Sequence, residues 1–235
     1  MFLLGTLVNG LLIMIGTFLG RLLNRIPDGM KTTVMYAIGL SVMVLGLQMG
    51  LKSENFLIVI ISLVLGAAIG EWIKLDERLN NVGKWLERKV GSKGKGSISE
   101  GFVSATLIFV IGAMAIIGAL DSGIRGDHDV LYTKSIIDGF TALILASTLG
   151  IGVIFSVIPV VVYEGLIALF ATQINQLIPK MLLDQFITEM TATGGIMIFA
   201  IGLNLIGLTK VKVANLLPGI VVVAIVVTIL YNVKI

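Results

Sequence analysis

The chain has no cysteine, one histidine, four prolines and few charges, and each scarcity removes a class of function. Without cysteine there are no disulfides, no thiolate metal sites and no cysteine nucleophile. His128 stands alone, so no second imidazole can share a metal with it. No His-Glu-x-x-His zinc motif, Gly-x-Ser-x-Gly elbow or phosphate-binding loop occurs. Neither an enzyme nor a bound cofactor is expected. Charged residues make up 13% of 235 positions, against about 25% in soluble domains. The basic ones are spread over short loops rather than gathered in a stripe, so nucleic acid is not an expected partner.

Apolar residues fill the space that charge leaves. They account for 57% of the chain, with 28 glycines, and small residues at that density suit helices packed closely in lipid. Runs long enough to span hydrocarbon lie near 2–20, 32–51, 55–73, 101–120, 136–157, 160–178, 185–208 and 213–233. The fold class read from them is all-α, a polytopic membrane protein of about eight transmembrane helices. Between the fifth and sixth, Pro159 is the only obvious breaker, and a tight turn there is expected, with a re-entrant segment as the alternative. The first apolar run has no basic region before it and no small-residue cleavage site, so it reads as a retained helix.

Lys and Arg placement sets the orientation. With the first loop in the cytoplasm, the inside set is Arg21, Arg25, Lys31, Lys74, Arg78, Lys84, Arg88, Lys89, Lys93, Lys95, Lys210 and Lys212, leaving Lys52, Arg125, Lys134, Lys180 and Lys234 outside. Both termini are therefore expected to be extracytoplasmic. The longest polar segment, 74–99, has two parts. Leu75, Leu79, Val82, Leu86 and Val90, with Trp85 beside the stripe, describe an amphipathic helix at the membrane surface. Gly91-Ser92-Lys93-Gly94-Lys95-Gly96-Ser97 follows as a flexible basic linker.

The chain also echoes itself. Val8-Asn9-Gly10-Leu11-Leu12 returns as Tyr163-Glu164-Gly165-Leu166-Ile167, and the offset of 155 holds from Asn9/Glu164 through Leu22/Leu177. Ile26-Pro27 then aligns with Ile178-Pro179. Ala37-Ile38-Gly39-Leu40 recurs as Ala200-Ile201-Gly202-Leu203, and Lys52 and Asn55 align with Lys212 and Asn215. Collinear matches over three elements suggest a repeat A (1–73) and a repeat B (159–235), flanking the amphipathic segment and linker (74–99) and two central helices with their loop (100–158). Five crossings separate helix one from helix six, so the repeats would be inverted, the arrangement that underlies alternating access. A re-entrant loop at Pro159 would make them parallel instead.

An ionised side chain at the bilayer centre costs at least ~2.5 kcal/mol, so each needs a reason. Glu164, followed by Gly165, is the sharpest case, and its repeat mate is Asn9 beside Gly10. Such a pair describes either a midplane binding site or interhelical packing glue. Asp121 closes helix four and Asp138 starts helix five, with Ser122-Gly123-Ile124-Arg125-Gly126-Asp127-His128-Asp129 following Asp121. The acidic spacing there does not match an EF-hand, and an ion-paired surface loop is favoured over a metal site. Helix seven carries Glu189, Thr191, Thr193 and Gly194-Gly195, and helix five carries Ser147, Thr148, Gly150 and Gly152. Hydroxyl and glycine clusters of this kind either line a hydrated path or let a helix bend. Embedded ionisable groups read as acidic, with Lys and Arg in loops or at helix ends, which points to a path for cations or protons. The candidate substrate or ion-binding residues are Asn9, Glu164, Asp138, Asp121, Glu189, Ser147 and Thr148, with no metal site.

Gly118-Ala119-Leu120-Asp121-Ser122-Gly123 with Gly126-Asp127, Lys134-Ser135-Ile136-Ile137-Asp138-Gly139-Phe140, Ala146-Ser147-Thr148-Leu149-Gly150-Ile151-Gly152-Val153 and the early Thr6-Leu7-Val8-Asn9-Gly10 resemble the YdfK/YqgA family of bacterial membrane proteins. The resemblance covers essentially the whole chain. It implies a multi-pass protein of the bacterial cytoplasmic membrane and supplies no substrate or site residue. Together these readings favour a secondary transporter of a small solute or ion, cation- or proton-coupled, embedded in lipid and forming a homo-oligomer. An oligomeric channel, or a non-transporting membrane component acting on a partner through 74–99, are the alternatives.

Overall fold

The computed structural model describes residues 2–22, 28–90 and 98–233. The expectations for Arg25, Ile26-Pro27, the basic linker 91–97 and Lys234 lie outside the described residues. Eleven α-helices and no strand occur among the described residues: α1 (Leu4–Leu22), α2 (Asp28–Gly50), α3 (Phe56–Ile73), α4 (Leu75–Val90), α5 (Ile98–Val110), α6 (Ala113–Ile124), α7 (Asp129–Leu149), α8 (Val157–Leu169), α9 (Ala171–Leu177), α10 (Lys180–Leu205) and α11 (Pro218–Val233). The segments Leu4–Leu22, Phe56–Ile73, Asp129–Leu169, Lys180–Leu205 and Val213–Val233 are long and apolar enough to cross a membrane, and α5 with α6 makes a sixth if that bent pair is one span. Met35–Gly50 is apolar but shorter.

An apolar core is present, but burial departs from that of a soluble domain at both ends of the scale. Thr6, Asn9, Thr17, Ser62, Glu164 and Thr193 are fully buried, whereas Leu11, Phe18, Leu57, Val64, Phe140 and Ile225 are more than half exposed. Water would penalise that apolar surface, and lipid removes the penalty while forcing polar groups inward.

The chain divides into two compact units. One comprises Met1–Val34, Leu79–Val110 and Met114–Gln176. In it α1 packs lengthwise on α7 through α1 glycines: a β-carbon on Gly16 would lie 2.0 Å from the Gly139 carbonyl oxygen, and one on Gly20 would lie 2.2 Å from that of Leu143. Gly5 meets Leu131. Partner numbers rise together along the two helices, so α1 and α7 are parallel. Along α8 they run in opposite senses. Asn9 meets Glu164, Gly10 meets Val161 and Val157, and Gly165 meets Leu3. The chain therefore turns back between α7 and α8.

That reversal corrects the reading of Pro159, which lies in the first turn of α8, where a missing N–H is not needed. The turn is the 3-10 stretch Gly150–Ser156, entered at Gly150 with φ 82° and ψ −161°. Only glycine adopts that conformation readily. A second correction concerns the expected helix 101–120, which is broken: α5 and α6 are bent by 62° across Ile111-Gly112, where glycine weakens the helix.

The other unit comprises Met35–Arg78, Ile111–Ala113 and Leu177–Ile235. Here α2 lies antiparallel on α10, with Gly39 against Gly202 and Gly46 against Gly195. Likewise α3 lies antiparallel on the stretch leading into α11, with Gly66 against Gly219 and Gly70 against Asn215. Absent side chains at these crossings let the backbones touch. Lys74, left-handed at φ 53°, turns the chain from α3 into α4. From Leu79 on, the amphipathic helix α4 belongs to the first unit; it leaves Val82 and Trp85 exposed and holds Lys89 Nζ 5.9 Å from the Trp85 ring centroid.

Candidate functional site

Three helices of the first unit bring four polar side chains together. From α1, Asn9 Nδ2 donates to Glu164 Oε1 of α8 at 2.8 Å. From α7, Lys134 Nζ donates to Asp138 Oδ2 one turn along the same helix and lies 3.4 Å from Glu164 Oε1. Asn9 and Glu164 are fully buried, and Lys134 and Asp138 are 5% and 6% exposed. Helix geometry explains the set. Residues four apart share a face, so Lys134 and Asp138 point the same way, and Gly10 admits α8 close enough for Asn9 to reach it.

Two oxygens of this cluster are buried without a hydrogen-bond partner, Asn9 Oδ1 and Glu164 Oε2, and Thr6 Oγ, one turn earlier on α1, is a third. Two carboxylates also face a single ammonium. If all three ionise, one negative charge is left uncompensated where solvation is poor. The arrangement can therefore accept one positive charge.

Lys134, which the loop charges place in an extracytoplasmic loop and which is not among the expected site residues, is instead the buried base of the cluster. Its presence also corrects the expectation that embedded ionisable groups are acidic only. The available signal was the spacing Lys134-x-x-x-Asp138, a helical ion pair. Thr6 is a further residue of the site, and its spacing of three from Asn9 places both on one side of α1.

The remaining candidates lie elsewhere. Asp121 accepts from the Arg125 guanidinium, an interaction that raises Arg125 above its ordinary value. In the same loop Asp127 Oδ1 accepts from the Asp129 amide at 3.0 Å, and His128 Nδ1 is 2.8 Å from Ser122 Oγ. These contacts describe a self-paired loop. Ser147 donates to the Ile144 carbonyl at 2.7 Å and Thr148 to that of Leu145 at 2.9 Å, so both hydroxyls are occupied by their own helix just before the turn at Gly150.

Glu189 belongs to the second unit. Its carboxylate accepts from Ser53 Oγ at 2.6 Å and from the amides of Glu54 and Asn55 at 3.0 and 2.9 Å. It thus holds the free amides ahead of α3, where a helix favours negative charge. A cleft of about 220 Å³ opens beside it, lined by Glu54, Asn55, Ile58, Gln185 and Val227. At the opposite end of α3, Glu71 accepts from Lys212 Nζ at 2.8 Å and from Asn215 Nδ2 at 2.6 Å, and the carboxylate raises Lys212 above its ordinary value. Loops 52–55 and 212–215, which align in sequence, are each clasped by a carboxylate.

Comparison with known proteins assigns the family. A family model described as "Protein of unknown function (DUF554)" matches residues 4–228. The chain belongs to that family. It is 30% identical over 232 residues to the "Uncharacterized membrane protein YdfK" of Bacillus subtilis (strain 168), covering 97% of this chain and 96% of that protein. It is 29% identical over 222 residues to the "Uncharacterized protein YqgA" of Escherichia coli (strain K12), covering 92% and 93%. No solved structure matches the chain. The family resemblance read from the sequence is thereby established, and a membrane protein with several apolar helices agrees with the name of YdfK.

Proposed function

We propose that the protein is a secondary transporter of a small solute or ion, coupled to a proton or monovalent cation, in the bacterial cytoplasmic membrane. One observation carries the reading: the side chains that align between the two halves of the sequence, Asn9 and Glu164, meet in a fully buried, charge-bearing cluster with unpartnered oxygens. Packing glue is satisfied by one completed hydrogen bond; it does not call for a lysine, a second carboxylate and two orphan acceptors. Burying such groups is costly enough that intramembrane examples mark ion and substrate paths.

Helix pairing supports the inverted arrangement. Each helix of repeat A runs antiparallel to the helix of repeat B with which it aligns, α1 with α8, α2 with α10 and α3 with α11. A count of eight crossings, with α2 as one, α5 and α6 as one broken span and α7 and α8 as two, would produce these directions. The bend between α5 and α6 supports it further, because discontinuous helices are where transporters expose backbone to substrate. Both termini are extracytoplasmic on this reading, and Lys74, Arg78, Lys210 and Lys212 share the cytoplasmic side.

The test is flux through purified protein in liposomes, with a panel of small ions and solutes on one side. Saturable uptake or exchange of at least one member is expected, and Glu164→Gln should abolish it while leaving the protein folded. Undiminished flux in that variant would remove the site assignment. Conduction that never saturates would replace the transporter with a channel.

A further inference from the structure

Resting on the reading of Asn9 and Glu164 as the transport site, the geometry points to a single proton on Glu164 as the coupling ion, held between Glu164 Oε2 and Asn9 Oδ1. A primary amide and a carboxylic acid pair in a ring of two hydrogen bonds: amide N–H to the acid's carbonyl oxygen, and acid O–H back to the amide oxygen. The first bond is present, from Asn9 Nδ2 to Glu164 Oε1 at 2.8 Å. The two atoms that the second bond would join are the two left without a partner in the cluster. Both side chains are fully buried, so each orphan acceptor carries a desolvation cost. One proton on Oε2 relieves both costs at once.

Charge balance leads to the same species. With Glu164 neutral, Lys134 and Asp138 form a balanced ion pair along one face of α7. With Glu164 ionised, the lysine must serve two carboxylates, and its ammonium already stands 3.4 Å from Glu164 Oε1. A metal cation in place of the proton would sit against that ammonium. The groups facing Glu164 from neighbouring elements are few. α7 supplies Lys134 and Asp138; α1 supplies Asn9, its one titratable residue, Arg21, being in its last turn; α6, whose Gly123 meets Ala168 of α8, carries Asp121, which is paired with Arg125. The only titratable residue of α5 is Glu100, exposed in its first turn, while the stretch Gly150–Ser156 has none. Tyr163 is the neighbour on α8 itself.

The step is a simple proton exchange. Hydronium from one side gives its proton to Glu164 Oε2 and leaves as water; on the other side a water takes that proton and leaves as hydronium, the carboxylate re-forms, and Lys134 moves from sharing with Asp138 towards Glu164 as the countercharge. Lys134 is thus a tethered replacement for the proton.

Infrared difference spectroscopy on the whole protein in lipid tests this directly. The wild type should show a protonated carboxyl C=O band that disappears as pH rises, absent in Glu164→Gln and retained in Asp138→Asn. Glu164→Gln keeps the ring, since its amide donates to Asn9 Oδ1 and accepts from Asn9 Nδ2, so folding is not the obstacle to reading the variant. Asn9→Leu should shift the band towards that of an acid without an acceptor. A band that survives Glu164→Gln, or none in the wild type at any pH, would overturn the assignment. Flux in liposomes separates the two readings: a Glu164 band with no transported solute removes the transporter and leaves the proton site, whereas transport with no Glu164 band removes the proton site alone.

Discussion

At the scale of single residues, the cluster's electrostatics decide more than its packing. Lys134 is the only base within reach of two buried carboxylates among the described residues, so its removal leaves charge with no partner. Breaking a buried pair by deleting one member costs roughly 3–5 kcal/mol, while replacing both by apolar groups is often close to neutral. Lys134→Met should therefore destabilise the protein by about that amount in a thermal or denaturant melt. The double variant Lys134→Met, Asp138→Leu should recover most of the loss. A Lys134→Met protein as stable as the wild type would mean that the ammonium holds no structural ion pair. Sequence found Asn9, Glu164 and Asp138 but not Lys134. A lysine five residues into a helix that follows a polar loop looks like a topology marker, and only the approach of α1 and α8 shows that its ammonium is enclosed.

At the scale of elements, the turn between α7 and α8 falls on glycine, at one of the positions where the sequence allows a helix to bend, and not on proline. Pro159 was read as the breaker because proline cannot donate and disfavours helix before it, yet in the first turn of α8 neither property matters. Gly150 does the turning, at φ 82° and ψ −161°. Gly150→Ala places a Cβ in a conformation that costs on the order of 1–3 kcal/mol, whereas Pro159→Ala should change stability by less than about 0.5 kcal/mol. Comparing the two melting temperatures checks the assignment, and a larger loss for Pro159→Ala would return the hinge to the proline. The broken helix was missed for a related reason. Ile111-Gly112 lies in a continuous apolar run, where hydropathy reports length but not direction, so 101–120 read as one rod. The extents of α1 and α3 were legible because their ends coincide with charge or polar turns, whereas α10 begins at Lys180, ahead of the expected 185, because its first turns carry Lys180 and Asp184 and hydropathy does not count them.

For the whole molecule, the open issue is the sense in which aligned segments cross the membrane. Antiparallel packing puts the start of α3 at one end of its pair with α11 and the 212–215 loop at the other, since Gly70 meets Asn215 and Glu71 meets Lys212. Lys52 and Lys212, matched in the repeat proposed above, are thus at opposite ends of one helix pair. If α3 spans the bilayer, their loops face opposite compartments, as inversion demands and parallel repeats forbid. The absence of cysteine makes the experiment clean, because a single introduced thiol has no background. Lys52→Cys should react with a membrane-impermeant maleimide from outside intact cells, and Lys212→Cys only after the membrane is opened. Labelling of both from the same side would defeat the inverted repeat. It would also remove the reason why two halves of similar sequence should offer their Asn9 and Glu164 to each other, because alternating access depends on each half being able to take the other's conformation.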